Sequence, residues 1–334
     1  MLGESVWQTL ARPSRGATGL VAVRLHPESA FNLFAALDQA NGHRFLLLKS
    51  AQPDHRLAVA LPEGRGFSLA AVHTPGDPDG AHCLRFELTD LAHADVFDVI
   101  GNDVLRHLLA AKDEATAFLT FVGRIAEWQH FLNTLPRGGL SEHAQLGLFA
   151  ELWFLRQHLL TEIAPLCAIQ AWTGPRALTK DFEFKGLAFE VKATAAKQPA
   201  KFQISGELQL DIGGVGRLIL YALLVERLAA GGLSLRDLVA AMRENLAARD
   251  TAALVVFGEL LLQSGYIDAD ADRYSTQFAF RSEHFFDVRG DFPRIVGADL
   301  RPGVGDVRYS VQQSECERYA IGADAVRNLI RATS

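Results

Sequence analysis

Along this chain the hydrophobic positions first recur at a strand-like period, then at a helical one, and then alternate the two. Between about residues 19 and 89, short alternating runs at 20–25, 44–48, 57–61 and 83–88 are separated by turn-rich stretches such as Thr74-Pro-Gly-Asp-Pro-Asp-Gly80. Such spacing predicts a β-rich N-terminal domain over residues 1–92. Residues 95–135 read as helices, giving a helical connector over 93–139 that ends in the hinge-like Pro136-Arg-Gly-Gly139. A helix beginning at Ser141, paired strands near 181–194, a short strand at 201–205 and an unbroken apolar run at 218–225 then define a core over 140–228, with residues 206–211 a brief helical or turn segment. Gly231-Gly232, amphipathic helices near 234–248 and 251–264 and strand-like segments to about 311 predict an α+β C-terminal region, 229–334, that packs on the core and shapes its cleft.

The core holds the most informative segment. Five of the seven lysines, Lys180, Lys185, Lys192, Lys197 and Lys201, fall in or just after Lys180-Asp-Phe-Glu-Phe-Lys-Gly-Leu-Ala-Phe-Glu-Val-Lys-Ala-Thr194. Phe182, Phe184, Leu187, Phe189 and Val191 alternate with polar or small residues, so the segment reads as strands 181–184 and 187–194 joined by Lys185-Gly186. A two-residue turn sets Phe184 against Leu187, which places Asp181 opposite Glu190 with Lys192 one diagonal step away on the same face. Facing carboxylates repel unless a cation sits between them, and Mg²⁺ is satisfied by one or two carboxylates and water. Either a metal site or a charged face turned to water explains the pattern.

The preceding helix adds a third carboxylate. Ser141 is a good N-cap, and between Glu142 and Arg156 the one charged side chain is Glu151, set among Leu148, Phe149, Leu152, Trp153, Phe154 and Leu155. A carboxylate in so apolar a helix is a partnered core residue or part of a site. Gly147, one turn earlier on the same face, leaves room for a backbone or a ligand.

Taken in order, Gln145-Leu-Gly-Leu-Phe-Ala-Glu-Leu-Trp-Phe-Leu155, Trp172-Thr-Gly-Pro175, Asp181-Phe182 and Glu190-Val-Lys192 resemble the PD-(D/E)XK nuclease superfamily. Within it they resemble a bacterial family of PD-(D/E)XK motif proteins. Lys180 stands where the motif's proline would be. The resemblance implies an α/β fold with a restriction-endonuclease-like core, a mixed central sheet flanked by helices. It implies Mg²⁺, with Mn²⁺ as a substitute, held by Asp181 and Glu190 with Glu151 ordering the site, and Lys192 positioning or activating the attacking water. Lys180, Gln203, Glu207 and Gln209 are secondary candidates, although ordinary strand-end polarity explains Gln203, Glu207 and Gln209 as well. The implied function is DNA phosphodiester hydrolysis in a restriction or phage-defence setting, with methyltransferase or helicase/ATPase partners and self-association compatible with it. The alternative is a DNA-binding or scaffold subunit that keeps the nuclease fold with little activity.

Composition bounds these readings. The net charge of −6 argues against coating nucleic acid by bulk electrostatics, yet residues 176–201 carry six basic against three acidic side chains beside the expected site. Cys83, Cys167 and Cys316 are scattered and fit a reducing cytoplasm, and nothing resembles a signal peptide or a membrane span. Gly213-Gly-Val-Gly216 lacks the Lys-Ser/Thr of a phosphate loop. Asp268, Asp270 and Asp272 begin like a calcium loop but Arg273 stands where glycine is needed. No zinc-protease helix or serine-hydrolase elbow occurs.

Overall fold

A computed structural model of the chain describes residues 2–12, 19–29, 31–50, 66–73, 82–136, 138–176, 178–196 and 200–333. The strand expected at 57–61, the turn-rich stretch at 74–80, Lys197 and Arg137 of the hinge lie outside the described residues. Two compact units are present, residues 1–137 with 267–269 and residues 138–266 with 270–334.

In the first unit, α1 (Glu4–Ala11) precedes β1 (Leu20–Leu25), β2 (Asn32–Asp38), β3 (Arg44–Ser50), β4 (Phe67–His73) and β5 (His82–Leu88). These strands form one antiparallel sheet in the order β1-β2-β3-β5-β4. Two helices, α2 (Ala94–Leu108) and α3 (Glu114–Thr134), follow in the same unit. Phe97 of α2 stacks on Phe86 of β5 with ring centroids 5.0 Å apart, so the helical segment packs on the sheet.

The second unit begins with α4 (Glu142–Phe154), which runs into a π-helical turn at Leu155–Leu159, and α5 (Pro165–Gln170). Then come β6 (Phe182–Phe184), β7 (Leu187–Thr194), β8 (Lys201–Ile204), β9 (Arg217–Leu228), β10 (Leu233–Ser234), α6 (Leu235–Arg249), α7 (Thr251–Gln263) and β11 (Gln277–Asp287). Last are β12 (Tyr309–Gln312), α8 (Gln313–Cys316), β13 (Ala320–Ile321) and α9 (Ala323–Thr333). The main sheet is mixed, in the order β10-β11-β9-β7-β6 with β13 on β11; β7 and β9 are parallel and the other pairs antiparallel. Such a sheet with helices is an α/β architecture.

Residues 218–225 of β9 are buried throughout because the sheet is covered on both faces. Phe189, Val191, Ile219, Tyr221 and Leu223 face a core built with α4, α6 and α7. Ala188, Leu218, Leu220 and Leu224 face a second core with Phe202, Ile204 and Val311. The strand expected at 201–205 therefore does not enter the sheet. As β8 it pairs with β12 in a separate two-stranded ribbon, its Phe202 and Ile204 packed in that second core and Lys201 and Gln203 exposed. Among the described residues, no helix is long and apolar enough to cross a membrane.

Candidate active site

The β6–β7 hairpin has the register its turn dictates. Lys185 and Gly186 have φ of 47° and 85°, the paired positive values of a type I′ turn, and Phe184 faces Leu187 while Phe182 faces Phe189. Pairing stops at Phe182. There the chain is drawn off by the segment after α5: the amides of Thr173 and Gly174 donate to the Asp181 carbonyl at 2.8 and 3.0 Å, and Thr173 Oγ1 donates to the Lys180 carbonyl at 2.8 Å. The next amide of β7 on this edge, Val191, donates instead to Asp181 Oδ2 at 2.7 Å. Asp181 thus occupies the rung that a longer β6 would have made. Glu190 and Lys192, by alternation along β7, belong to the face covered by the β8–β12 ribbon, whereas α4 covers the other face. The expectation that one sheet face carries the group is corrected: the side chains meet around the open edge of β7, which exists because β6 is three residues long.

Glu151 reaches this edge from α4. The helix starts where expected, with Ser141 Oγ accepting from the Ala144 amide at 3.3 Å. Trp172, fully buried, donates its indole N–H to Glu151 Oε2 at 2.7 Å, so the segment that holds the Asp181 backbone also orients the helix carboxylate. Gly174 lies against both acids: a Cβ there would stand 3.2 Å from Glu151 Oε2 and 3.3 Å from Asp181 Oδ1. A methyl group would push these oxygens aside by a few tenths of an ångström. Gly174→Ala is therefore expected to keep the melting temperature within a few degrees while slowing any catalysis at these carboxylates about tenfold, because misplacement by 1 Å costs up to ~10²-fold. Calorimetry and a cleavage assay on the same preparation check it.

Glu190 is completely buried, and Lys192 Nζ makes an ion pair with its Oε1 at 2.7 Å. Among the described residues, neither Glu190 oxygen has a hydrogen-bond partner of good geometry. Burial, then the charge of Asp181, pushes Glu190 up to about 8 against the pull of Lys192. Glu151 is raised well above the ordinary carboxylate range by burial and by Asp181, and Asp181 is raised by burial against Lys192 and the Val191 amide. Burial opposes the charge on Lys192, but Glu190 and Asp181 outweigh it and hold the ammonium above its usual range. The cause is common to all four: negative charge is crowded into a dry site, so the group as a whole retains protons.

Glu151, Asp181 and Lys192 line a cleft of about 750 Å³, together with Gln203 and Gln209. Glu190, fully buried, does not line it. Glu207 and Lys180 are corrected as cleft residues. Glu207 Oε2 accepts from the Val307 amide at 3.1 Å and so anchors a neighbouring loop. Lys180, 3% exposed, donates from Nζ to the carbonyls of Leu208, Gln209 and Asp211, pinning the 206–211 turn beneath the site. Lys180→Met would leave three carbonyls without that charged donor, and we expect a loss on the order of 3 kcal/mol in urea unfolding. His143, Lys201, Ser205 and Arg227 also line the cleft and were not singled out from the sequence as site residues. Their signals were present: His143 lies two turns before Glu151 on α4, and Lys201, Gln203 and Ser205 form the polar half of an alternating strand.

The donor set suits a hard divalent cation. It is all oxygen, a buried carboxylate lacks a well-formed hydrogen bond, and the absent Cβ at Gly174 leaves two further carboxylates an uncovered flank. The expected three-carboxylate ligand set is nevertheless not pre-assembled. Among the described residues, no three His, Cys, Asp or Glu side chains stand close enough to hold one ion. One or two carboxylates and water would have to serve, as Mg²⁺ accepts.

A helix glutamate, an aspartate before a short hairpin strand and a Glu-x-Lys strand meeting at one sheet edge make this a nuclease-like protein of the PD-(D/E)XK kind. A family model described as "Putative PD-(D/E)XK family member (DUF4420)" matches residues 4–314, and the chain belongs to that family. Comparison with curated proteins and with solved structures finds no match.

Proposed function

We propose that this protein is a divalent-metal-dependent endonuclease that hydrolyses DNA phosphodiester bonds, with Mg²⁺ as the resident ion and Mn²⁺ able to replace it. The observation that carries the reading is the fully buried Glu190, short of hydrogen bonds and paired with Lys192 beside two other proton-retaining carboxylates. Such a group is unfavourable unless a cation completes it. Asp181 and Glu190 would hold the ion, with Glu151 ordering its surroundings. When bound, the ion would polarise the scissile phosphate and lower the pKa of a water molecule.

The chain's own groups do the rest. The Val191 amide fixes Asp181 Oδ2 and leaves Oδ1 near the Glu151 side; the Trp172 indole fixes Glu151. Lys192, kept charged by its carboxylate neighbours, orients the attacking water and offsets charge developing on the phosphate. DNA as substrate, and a restriction or phage-defence setting with methyltransferase or helicase/ATPase partners, extend the family resemblance and belong to the proposal. The test is cleavage of supercoiled plasmid and of end-labelled oligonucleotides in Mg²⁺, Mn²⁺ or EDTA, alongside calorimetric titration of each ion. Saturable binding of one ion together with metal-dependent cutting is expected. Absence of specific Mg²⁺ or Mn²⁺ binding would replace this reading with that of a DNA-binding scaffold.

A further inference from the structure

The cleft is bounded on one side by a row of α4 residues, His143, Gly147 and Glu151, four apart and therefore on one helical face. The opposite side carries Lys201, Gln203 and Ser205, alternate positions of β8 and the residue after it, spaced about 6.6–6.8 Å apart along an extended chain. That repeat is close to the spacing of successive phosphates in an extended polynucleotide. Arg227 stands at the cleft with its guanidinium paired to the exposed Glu142 at 3.1 Å, and Gln209, whose Oε1 accepts from the Ser205 amide at 2.7 Å, still has its NH₂ group to donate.

Gly147 has no internal explanation. Glycine is the poorest ordinary residue inside a helix, and it is usually kept where a neighbour would clash with a Cβ. Here a Cβ would meet nothing within 4 Å among the described residues, and the position opens onto the cleft. What the glycine makes room for is not part of the described fold. The cleft volume, about 750 Å³, is that of a site for a drug-sized molecule, which accommodates a nucleotide-scale segment but not the full width of a double helix. Among the described residues its lining contains neither Phe, Tyr nor Trp, so stacking surfaces are limited to the His143 ring and the Arg227 guanidinium, and the row of Lys201, Gln203 and Ser205 is suited to the backbone.

We propose that the trough between α4 and β8 takes a single, unpaired DNA strand by its sugar-phosphate backbone, the strand passing over Gly147 with phosphates against Lys201, Gln203 and Ser205. This rests on the nuclease reading of the same site. Recognition is sequence-tolerant and salt-dependent, and a duplex must be opened or frayed before it enters.

Binding measured without cleavage separates the two claims. Fluorescence anisotropy of labelled oligonucleotides with the full-length protein in EDTA should show the single strand bound at least about tenfold more tightly than the duplex of the same sequence. Gly147→Leu fills the trough while removing a helix-weakening residue, so the melting temperature should hold or rise while single-strand affinity falls more than about tenfold. Lys201→Ala, on an exposed strand position, should weaken binding of all sequences alike and reduce the salt slope by about 0.7. Equal or tighter binding of duplex, no binding of either form, or a folded Gly147→Leu protein that binds single strand like wild type each overturns the proposal. Loss of cleavage with these binding results intact would instead count against the nuclease reading alone.

Discussion

Lys192→Ala is expected to abolish DNA cleavage while leaving divalent-metal binding close to wild type, and Glu190→Gln is expected to weaken metal binding and abolish cleavage as well. The difference follows from chemistry: the Lys192 ammonium has no lone pair to offer a cation, whereas the Glu190 carboxylate paired with it would be a ligand in the proposed reading. Removing one charge-stabilising group from such a site typically costs on the order of 10²–10³ in rate. Folding should survive both changes, since Glu190→Gln removes repulsion among the carboxylates and neither change removes core volume; after Lys192→Ala the fully buried Glu190, already pushed up to about 8, takes a proton at neutral pH instead of leaving an unpaired buried charge. Cleavage time courses, metal titration by calorimetry and thermal melts on the three proteins provide the check. A Lys192→Ala protein that cuts like wild type would remove lysine from the mechanism; one that has lost metal binding would make it part of the ion's environment.

Local rules made much of this site legible in the sequence. The Lys185-Gly186 turn determines which residues face each other in β6 and β7, the Ser141 cap determines where α4 starts, and the apolar run at 218–225 is what a central strand covered on both faces requires. What escaped is long-range. Whether β6 continues past Phe182 is decided by the Thr173 and Gly174 amides, far outside the hairpin pattern, and their capture of the Asp181 carbonyl turns a same-face cluster into one gathered around an edge. Lys180 stands at the motif's proline position, next to Asp181 in the chain, which makes it a secondary candidate on sequence alone. Its ammonium instead finds three carbonyls about thirty residues away, a choice that no periodicity reports. The β8 strand shows the same limit: alternation identified it as a strand but carried no information about its partner, β12, a hundred residues on.

Metal-free protein is expected to lose stability as pH rises from about 5 to 8, and Mg²⁺ is expected to restore it at the upper end. Glu190 is raised from 4.5 to about 8, and Glu151 and Asp181 shift in the same direction, with burial first among the causes. Between the unfolded and folded pKa values the native state binds more protons than the unfolded chain, so the slope of unfolding free energy against pH is negative there. The contribution of these groups is complete below about 4.5 and disappears as pH passes through about 8, amounting to a few kcal/mol for a shift of this size. The lowered carboxyls Glu28, Asp113, Glu207 and Glu283 have the opposite sign, but their effect falls at or below their ordinary range and leaves this window alone. A cation that replaces the retained protons should therefore stabilise strongly at pH 8, by ~2.7 kcal/mol at a hundred times its Kd, and far less at pH 5 where protons compete for the same oxygens. Thermal melts at the two pH values, in EDTA and in Mg²⁺, read this directly, and Glu190→Gln should flatten the slope in EDTA. A melting temperature that climbs with pH in EDTA, or one that Mg²⁺ raises equally at both pH values, would mean that these carboxylates are not the cation's site.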